Sequence, residues 1–462
     1  MFTESVRKTL SDGRRYVPII ETITACVNPA DLYEIMTQGN EAPACILEGA
    51  GSGKKSRFSF VCFNGKYPMV VHDLKDLQSL KKLLHRNSPL PHKTLPFIGG
   101  YIGGIGHEAI SLVEKSVEPH PIDPFNIPLA CLYFFHEVIV VDNEKNEMHV
   151  VVNVLVESTD DNLILAYENG CSRVGEIIRK ISLGNPNANV PDKIVYGPIV
   201  SNMTIEEYCH MVEEAKSLIE QGEVFQIVLS QRFSAPYYGS SLALYRELRA
   251  LNPSPYMFYM RYGSECRNMV LLGASPEVMV GIDKGKMRIR PIAGTRRRVS
   301  DLVENERLKK ELLDDPKERA EHMMLVDLAR NDVGKYCGAN SIRVTTLMEV
   351  ENYSHVMHIV SEVQAMLRDG VHPLDACLGS LPAGTLSGAP KVRALQHISR
   401  LEKSQRGLYG GTFGWFTHES LDTCIFIRSA MLLDGVLHWQ SGAGIVADSV
   451  PQSEYDETIV KA

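Results

Sequence analysis

Strand-forming runs recur along this chain in blocks, not one at a time between helices. Residues 44–47, 58–63 and 69–72 read as short strands bounded by glycine-containing turns. Residues 129–141 and 148–156 flank a polar turn and read as a hairpin, and 161–183 carries helical periodicity. Residues 184–198, rich in Asn, Pro and Gly, read as a linker. Beyond it, Thr204 with Glu207 three residues later marks a capping-box helix start. Strands are expected at 225–233, 257–262, 270–273, 278–282 and 287–290, then helices at 301–313 and 316–333. Strands at 411–417, 424–433 and 437–441 precede a closing helix. Such blocks predict an α+β fold, a layered sandwich of largely antiparallel sheets flanked by helices, and not a doubly wound sheet. The linker divides it into an N-terminal part, 1–190, and a second part, 200–462, expected to interlock.

Composition narrows the function. The net charge of −8 over 462 residues argues against a nucleic-acid binder or a membrane-surface protein. The longest apolar run is broken by His136 and Glu137, too short and polar to span a bilayer. No apolar core follows Met1, so no signal peptide is expected, and the ten cysteines contain no Cys-x-x-Cys pair. A cytoplasmic protein with reduced thiols is the expectation.

Two acidic pairs stand out. Glu318 and Glu321 lie three apart on one predicted helix; Glu454 and Glu457 do so on the last, with Lys461 four residues on and Ser449 as its expected N-cap. Four carboxylates suit a hard cation such as Mg²⁺, and the lack of a His/Cys cluster argues against Zn²⁺. Solvated, salt-bridged helices would show the same letters.

Gln440-Ser441-Gly442-Ala443-Gly444 reads as a small-residue loop whose backbone N–H groups could meet a carboxylate, or as a plain tight turn. Pro291-Ile292-Ala293-Gly294-Thr295-Arg296 has the same character, and Leu386–Lys391 reads as a loop entering a helix at Pro390, with an equally good structural explanation. Arg428 in an apolar strand needs a bound carboxylate or an internal acid as partner. Glu277, at a strand end, is placed for acid work. His358 sits in an apolar stretch, where a satisfied core histidine is the commoner case.

In this order the motifs resemble the chorismate-binding enzymes, and among them the large subunits of anthranilate synthases. The matching strings include residues 224–232, Ser275-Pro276-Glu277, 291–296, 318–332, 386–393, Tyr409-Gly410-Gly411 and 442–457. The N-terminal part resembles the family's regulatory half through Cys45-Ile46-Leu47-Glu48 and Arg57-Phe58-Ser59-Phe60. The resemblance implies amination of chorismate at C2 with ammonia, then loss of pyruvate to give anthranilate, with Mg²⁺. It implies Glu321 and Glu457 as direct metal ligands, with Glu318 and Glu454 beside them. Tyr409, Arg428, Lys461 and the backbone of Gly442, Ala443 and Gly444 would hold carboxylates, and Gly294 and Thr295 would line the ring site. Glu277 would protonate the leaving hydroxyl, and His358 would serve the pyruvate-forming step.

Two positions separate siblings. Water-adding relatives carry a lysine where this chain has Gln226, and a neutral amide cannot activate water. Many aminodeoxychorismate synthases, the alternative reading, carry a nucleophilic lysine where this chain has Ala293. No glutamine amidotransferase segment is recognisable, so a separate glutaminase subunit is the expected ammonia source and partner. L-tryptophan is the expected feedback inhibitor, held by Glu48, Gly49, Ser59, Pro255, Tyr256 and Met257. Gly49 replaces the family's serine and so weakens the expected inhibition.

Overall fold

The computed structural model describes residues 2–25, 27–49, 57–158, 162–184, 186, 194–353 and 356–462. Most of the predicted linker therefore lies outside the described residues. Within them, two large antiparallel sheets pack face to face, with helices on both outer faces.

The first sheet has thirteen strands among the described residues. From one edge it runs Tyr16–Thr24, Glu147–Leu155, Glu137–Asp142, Phe58–Phe63, Ala44–Glu48, Tyr256–Arg261, Val270–Ser275, Ser429–Leu433, Val436–Ile445 and Gln226–Tyr238. The second has ten and passes from Ile292–Arg297 through Val356–Met366, Lys286–Ile289, Val278–Asp283, Leu421–Ile425, Thr412–Phe416, Gly100–Ile105 and Ala130–Phe135 to Lys66–Val71. Both sheets cross between the parts expected from the sequence. Ala44–Glu48 pairs with Tyr256–Arg261 in one, and Gly100–Ile105 with Thr412–Phe416 in the other.

The predicted first hairpin is more elaborate than its hydropathy indicates. Its first arm splits at His136: Ala130–Phe135 belongs to one sheet and Glu137–Asp142 to the other. Asn153, buried, fixes this crossing by donating to the carbonyls of Ile98 and His136 at 2.7 and 3.1 Å. Between the sheets, the Phe258 and Phe413 rings stack with centroids 4.3 Å apart, and Phe60, Phe97 and Trp415 fill the same layer.

The helices follow their local signals. Thr204 accepts from the N–H of Glu207 at 3.3 Å while Glu207 accepts from that of Thr204 at 2.8 Å, which closes the predicted capping box. Asp315 caps the Pro316–Tyr336 helix by accepting from Lys317 and Glu318, with Pro316 in the first turn. The terminal helix, Pro451–Lys461, differs from expectation: Val450 is its N-cap residue, and the Ser449 hydroxyl instead accepts from the N–H of Val446 at 3.1 Å.

The thiol expectation is also corrected. Cys131 and Cys266 form a disulfide, a pairing 135 residues apart that no local spacing could reveal. No helix among the described residues is long and apolar enough to cross a membrane.

Candidate functional site

The site assembles where the sheets' ends meet the Pro316–Tyr336 and Pro451–Lys461 helices. Glu277 occupies the two-residue passage between Val270–Ser275 of one sheet and Val278–Asp283 of the other. Its carboxyl is buried, and burial pushes its pKa up to about 8 against the opposing pull of one hydroxyl. That hydroxyl is Thr385, which donates to Oε1 at 3.1 Å. Thr385 was missed in the sequence, although it adjoins the Leu386–Lys391 motif. A small void of about 30 Å³ borders Glu277, Arg290, Asp332 and Thr385.

The turn bearing Thr385 is stitched to the strand that begins at Gln226. The N–H of Val228 donates to Ser387 at 2.9 Å, and Gln226 and Ile227 pair with Ala389 and Gly388. Arg406, fully buried, donates to the carbonyls of Leu386 at 2.7 Å and Val228 at 2.8 Å while pairing with Glu402. Gln226 is itself buried, and its Oε1 has no hydrogen-bond donor among the described residues.

The predicted glycine loop is strand. Gly442, Ala443 and Gly444 lie within Val436–Ile445, opposite Ser230, Leu229 and Val228. Ser230 and Val228 direct their N–H groups away from that partner, to Glu402 and Ser387. Their opposite numbers, Gly442 and Gly444, therefore point N–H and C=O outward as well. The neighbouring strand Ser429–Leu433 reaches only to Trp439, so that outer edge is unpaired at the glycines. A Cβ on Gly442 would lie 3.0 Å from the Tyr409 hydroxyl, and one on Gly444 2.7 Å from the Gln226 amide nitrogen.

Arg428 departs from its prediction. The expected strand 424–433 breaks into Leu421–Ile425 and Ser429–Leu433, in different sheets, and Arg428 sits exposed between them with φ of +51°. Its guanidinium donates to the Lys461 carbonyl and takes no carboxylate partner among the described residues. Protein crowding lowers its pKa, opposed by Tyr409 and Glu457 nearby. Lys461 reaches the Gly442 carbonyl at 3.2 Å and pairs with Glu457.

The predicted loop 291–296 is likewise strand, Ile292–Arg297, with an irregularity at Gly294, where φ is +68°. A Cβ there would meet Glu318 Oε2 at 3.0 Å, so glycine lets the strand approach the acidic helix. Thr295, exposed, pairs with His358, whose Nδ1 lies 2.9 Å from the Gly294 carbonyl and 3.2 Å from the Thr295 hydroxyl. A carbonyl only accepts, which puts the proton on Nδ1 and leaves the Nε2 lone pair available. Burial lowers the His358 pKa and keeps the ring neutral. Tyr353 packs edge-on to it at 5.2 Å; its own pKa is raised by burial, by Glu351 and, more weakly, by Glu277.

Across the two helices, Glu321 and Glu457 lie close enough for each charge to act on the other. Burial raises the pKa of Glu321, then Glu318 and Glu457 raise it further; Glu454 is raised by burial and by Glu457. Glu318 also accepts from Arg296 at 3.1 Å. No three of these carboxylates come within 4.8 Å of one another. The group that does so among the described residues is Asp142, Glu147 and His149, in the N-terminal hairpin. There Asp142 already accepts two guanidinium N–H groups of Arg57, at 3.1 and 2.7 Å, so its charge is compensated.

The predicted inhibitor residues gather elsewhere, around a cavity of about 310 Å³ lined by Glu48, Gly49, Pro255, Tyr256 and Met257. Glu48 is buried and accepts from the Tyr245 hydroxyl and from Arg249 Nε at 2.7 Å. Ser59 does not line this cavity. Strand alternation turns Phe58 and Phe60 toward it and Ser59 to the opposite face.

The profile of the chorismate binding enzyme family matches residues 43–462. Anthranilate synthase component 1 of Aquifex aeolicus (strain VF5) is 36% identical over an alignment covering 99% of this chain and 95% of its own. Its namesake from Bacillus caldotenax is 41% identical, covering 91% and 83%. The crystal structure of anthranilate synthase component I from Streptococcus pneumoniae TIGR4 aligns with a TM-score of 0.79 at 34% identity, covering 89% and 92%. The menaquinone-specific isochorismate synthase of Escherichia coli shares the fold, with a TM-score of 0.71 at 18% identity over 99% of this chain and 96% of its own.

Proposed function

This chain belongs to the chorismate-binding enzyme family, and on that premise we propose that it catalyses the anthranilate synthase reaction. Ammonia adds at C2 of chorismate, the C4 hydroxyl leaves as water, and pyruvate is then eliminated to give anthranilate. The observation that carries this reading is Gln226: a buried amide whose Oε1 lacks a donor among the described residues. It can accept an N–H of ammonia, and it cannot deprotonate water.

The remaining residues fit assigned steps. Glu277, neutral below about pH 8, gives its proton to the departing C4 oxygen. The outward N–H groups of Gly442 and Gly444, the Tyr409 hydroxyl and Arg428 receive substrate carboxylates. His358 Nε2 accepts the C2 proton as the C3–oxygen bond breaks, which aromatises the ring, and Gly294 and Thr295 fix that imidazole. Lys461 steadies the terminal helix against Gly442.

Burial first, and neighbouring carboxylates second, raise the pKa of Glu321 and Glu454, against the pull of Lys317 and Lys461. That donor set suits Mg²⁺, with Glu321 and Glu457 as direct ligands and Glu318 and Glu454 in support. Bound there, the cation would neutralise the ring carboxylate and polarise it.

We assign the N-terminal part, 1–190, a regulatory role, with the cavity at Glu48 and Tyr256 as the tryptophan site. The relatives' designation as component 1 supports a second component, which we take to be a glutaminase subunit delivering ammonia in the cytoplasm. The folate-directed alternative loses support from Ala293, which offers no nucleophile.

Chorismate, ammonium and Mg²⁺ with the purified chain should generate anthranilate fluorescence. A product that needs a separate lyase would establish the alternative instead, and unchanged chorismate would refute both.

A further inference from the structure

A second sizeable cavity lies apart from Glu277 and beside the predicted tryptophan pocket. It measures about 510 Å³ and adjoins that pocket, with which it shares Phe58, Pro96, Arg288, Trp415 and Asp422. Both volumes fall within the range of roughly 300–1,000 Å³ typical of small-molecule sites. The inner chamber is aromatic, walled by Phe60, Phe258, Phe413 and Trp415.

The outer chamber is basic. Lys93, Lys284, Lys286 and Arg288 border it, against the carboxylates of Asp283 and Asp422. Asp422 is already engaged, accepting from Arg288 at 3.1 Å and from the Tyr256 hydroxyl at 2.9 Å. Asp283 accepts from the Ser420 hydroxyl at 3.3 Å. None of the three lysines forms an ion pair with a described residue. One wall is a stiff loop: Pro89, Pro91 and Pro96 restrict it, and His92 Nδ1 accepts from the N–H groups of Thr94 and Leu95 at 3.3 and 3.1 Å. A wall already ordered lowers the entropy cost of binding.

We infer that the outer chamber receives the phosphate of an aromatic ligand whose ring fills the inner pocket. The excess of two cations matches a phosphate monoester, which carries about −1.5 to −2 charges at neutral pH. The ion pair of Arg288 with Asp422, joined to Tyr256, stands between the chambers, so an anion on Arg288 acts directly on a residue of the inner pocket. The inference rests on the inner pocket being the effector site.

Calorimetric titration of the full chain with indole-3-propanol phosphate and, separately, with L-tryptophan tests it. The phosphate compound should bind about tenfold tighter than tryptophan, and the double variant Lys284→Ala/Lys286→Ala should lose about that factor for the phosphate compound alone. Both lysines are exposed, so the variant should fold normally. If the phosphate compound binds no tighter, or the variant is indifferent to it, this inference fails while tryptophan binding upholds the effector pocket. If neither compound binds, both fail.

Discussion

At the scale of one residue, the proposed chemistry turns on a carboxyl denied water. Glu277 has its pKa pushed from 4.5 to about 8 by burial, and the Thr385 hydroxyl draws it back by favouring the carboxylate. Acid-dependent turnover should therefore fall as pH rises through about 8, when free ammonia is held constant. Thr385→Val removes the opposing hydrogen bond, so its falling limb should move to higher pH, and Thr385→Ser should restore it; a limb that stays put in the valine variant would refute the coupling. Glu277→Gln should lower kcat by about 10² to 10⁴. The same residue links to stability with a definite sign. Between 4.5 and about 8 the folded chain holds a proton that the unfolded chain has lost, so Glu277 destabilises increasingly as pH rises across that window. Glu277→Gln should thus melt higher than the parent at pH 8, with little difference at pH 4. Glu277, Gln226 and His358 could be singled out as candidates because each sits in a distinctive string. Thr385 could not, since its partner lies 108 residues away. The backbone at Arg428 differs from the expected strand because the apolar run before it resembles one, whereas the chain there changes sheet with a left-handed residue.

At the scale of elements, the acidic pairs show what helical spacing can and cannot disclose. Three-residue spacing put Glu318 with Glu321, and Glu454 with Glu457, on shared faces, and one pair, Glu321 and Glu457, interacts across the two helices. The four-residue spacing of Glu457 and Lys461 disclosed their ion pair, but spacing could not reveal that Arg296 already holds Glu318. The glutamates are therefore unequal. Neither Glu321 nor Glu454 has such an ion pair among the described residues, and of the two proposed direct ligands, Glu321 and Glu457, Glu321 is the more dependent on an added cation. Glu321→Gln should raise the Mg²⁺ concentration for half-maximal activity by about tenfold or more, and should shrink the Mg²⁺-induced rise in melting temperature. Glu318→Gln should do less, because Arg296 offsets much of its charge in the parent. Equal effects from the two variants would overturn this ranking. The glycine segment teaches a related lesson. Composition suggested a loop, but small residues served close packing against Tyr409 and Gln226, and the strand edge still offers its N–H groups.

At the scale of the whole molecule, the two sheets couple parts that the sequence separates. The strand Tyr256–Arg261, whose first residues line the proposed tryptophan pocket, pairs with Val270–Ser275, and Glu277 follows two residues later. A ligand that shifts this strand pair acts on the acid through one connection. Gly49 lines that pocket without a hydroxyl, and one hydrogen bond is worth about 0.5–1.5 kcal/mol. Gly49→Ser should therefore lower the tryptophan concentration for half-inhibition by roughly two- to tenfold, while submicromolar inhibition of the parent would contradict the premise. Block-wise strands sufficed to predict a layered α+β sandwich, but not which strands become neighbours, because pairing is decided by tertiary contacts. That pairing bears on the boundary near residue 190. Separating 1–190 from 200–462 would strip Ala44–Glu48 from Tyr256–Arg261 and Gly100–Ile105 from Thr412–Phe416, exposing two central edges at once. It would also split the core in which Phe60 and Phe97 pack with Phe258 and Phe413. Neither piece expressed alone should remain monomeric with a cooperative melting transition, and co-expression should restore a soluble complex. A lone 200–462 fragment that stays monomeric in gel filtration and melts cooperatively would show instead that the second part folds independently of the first.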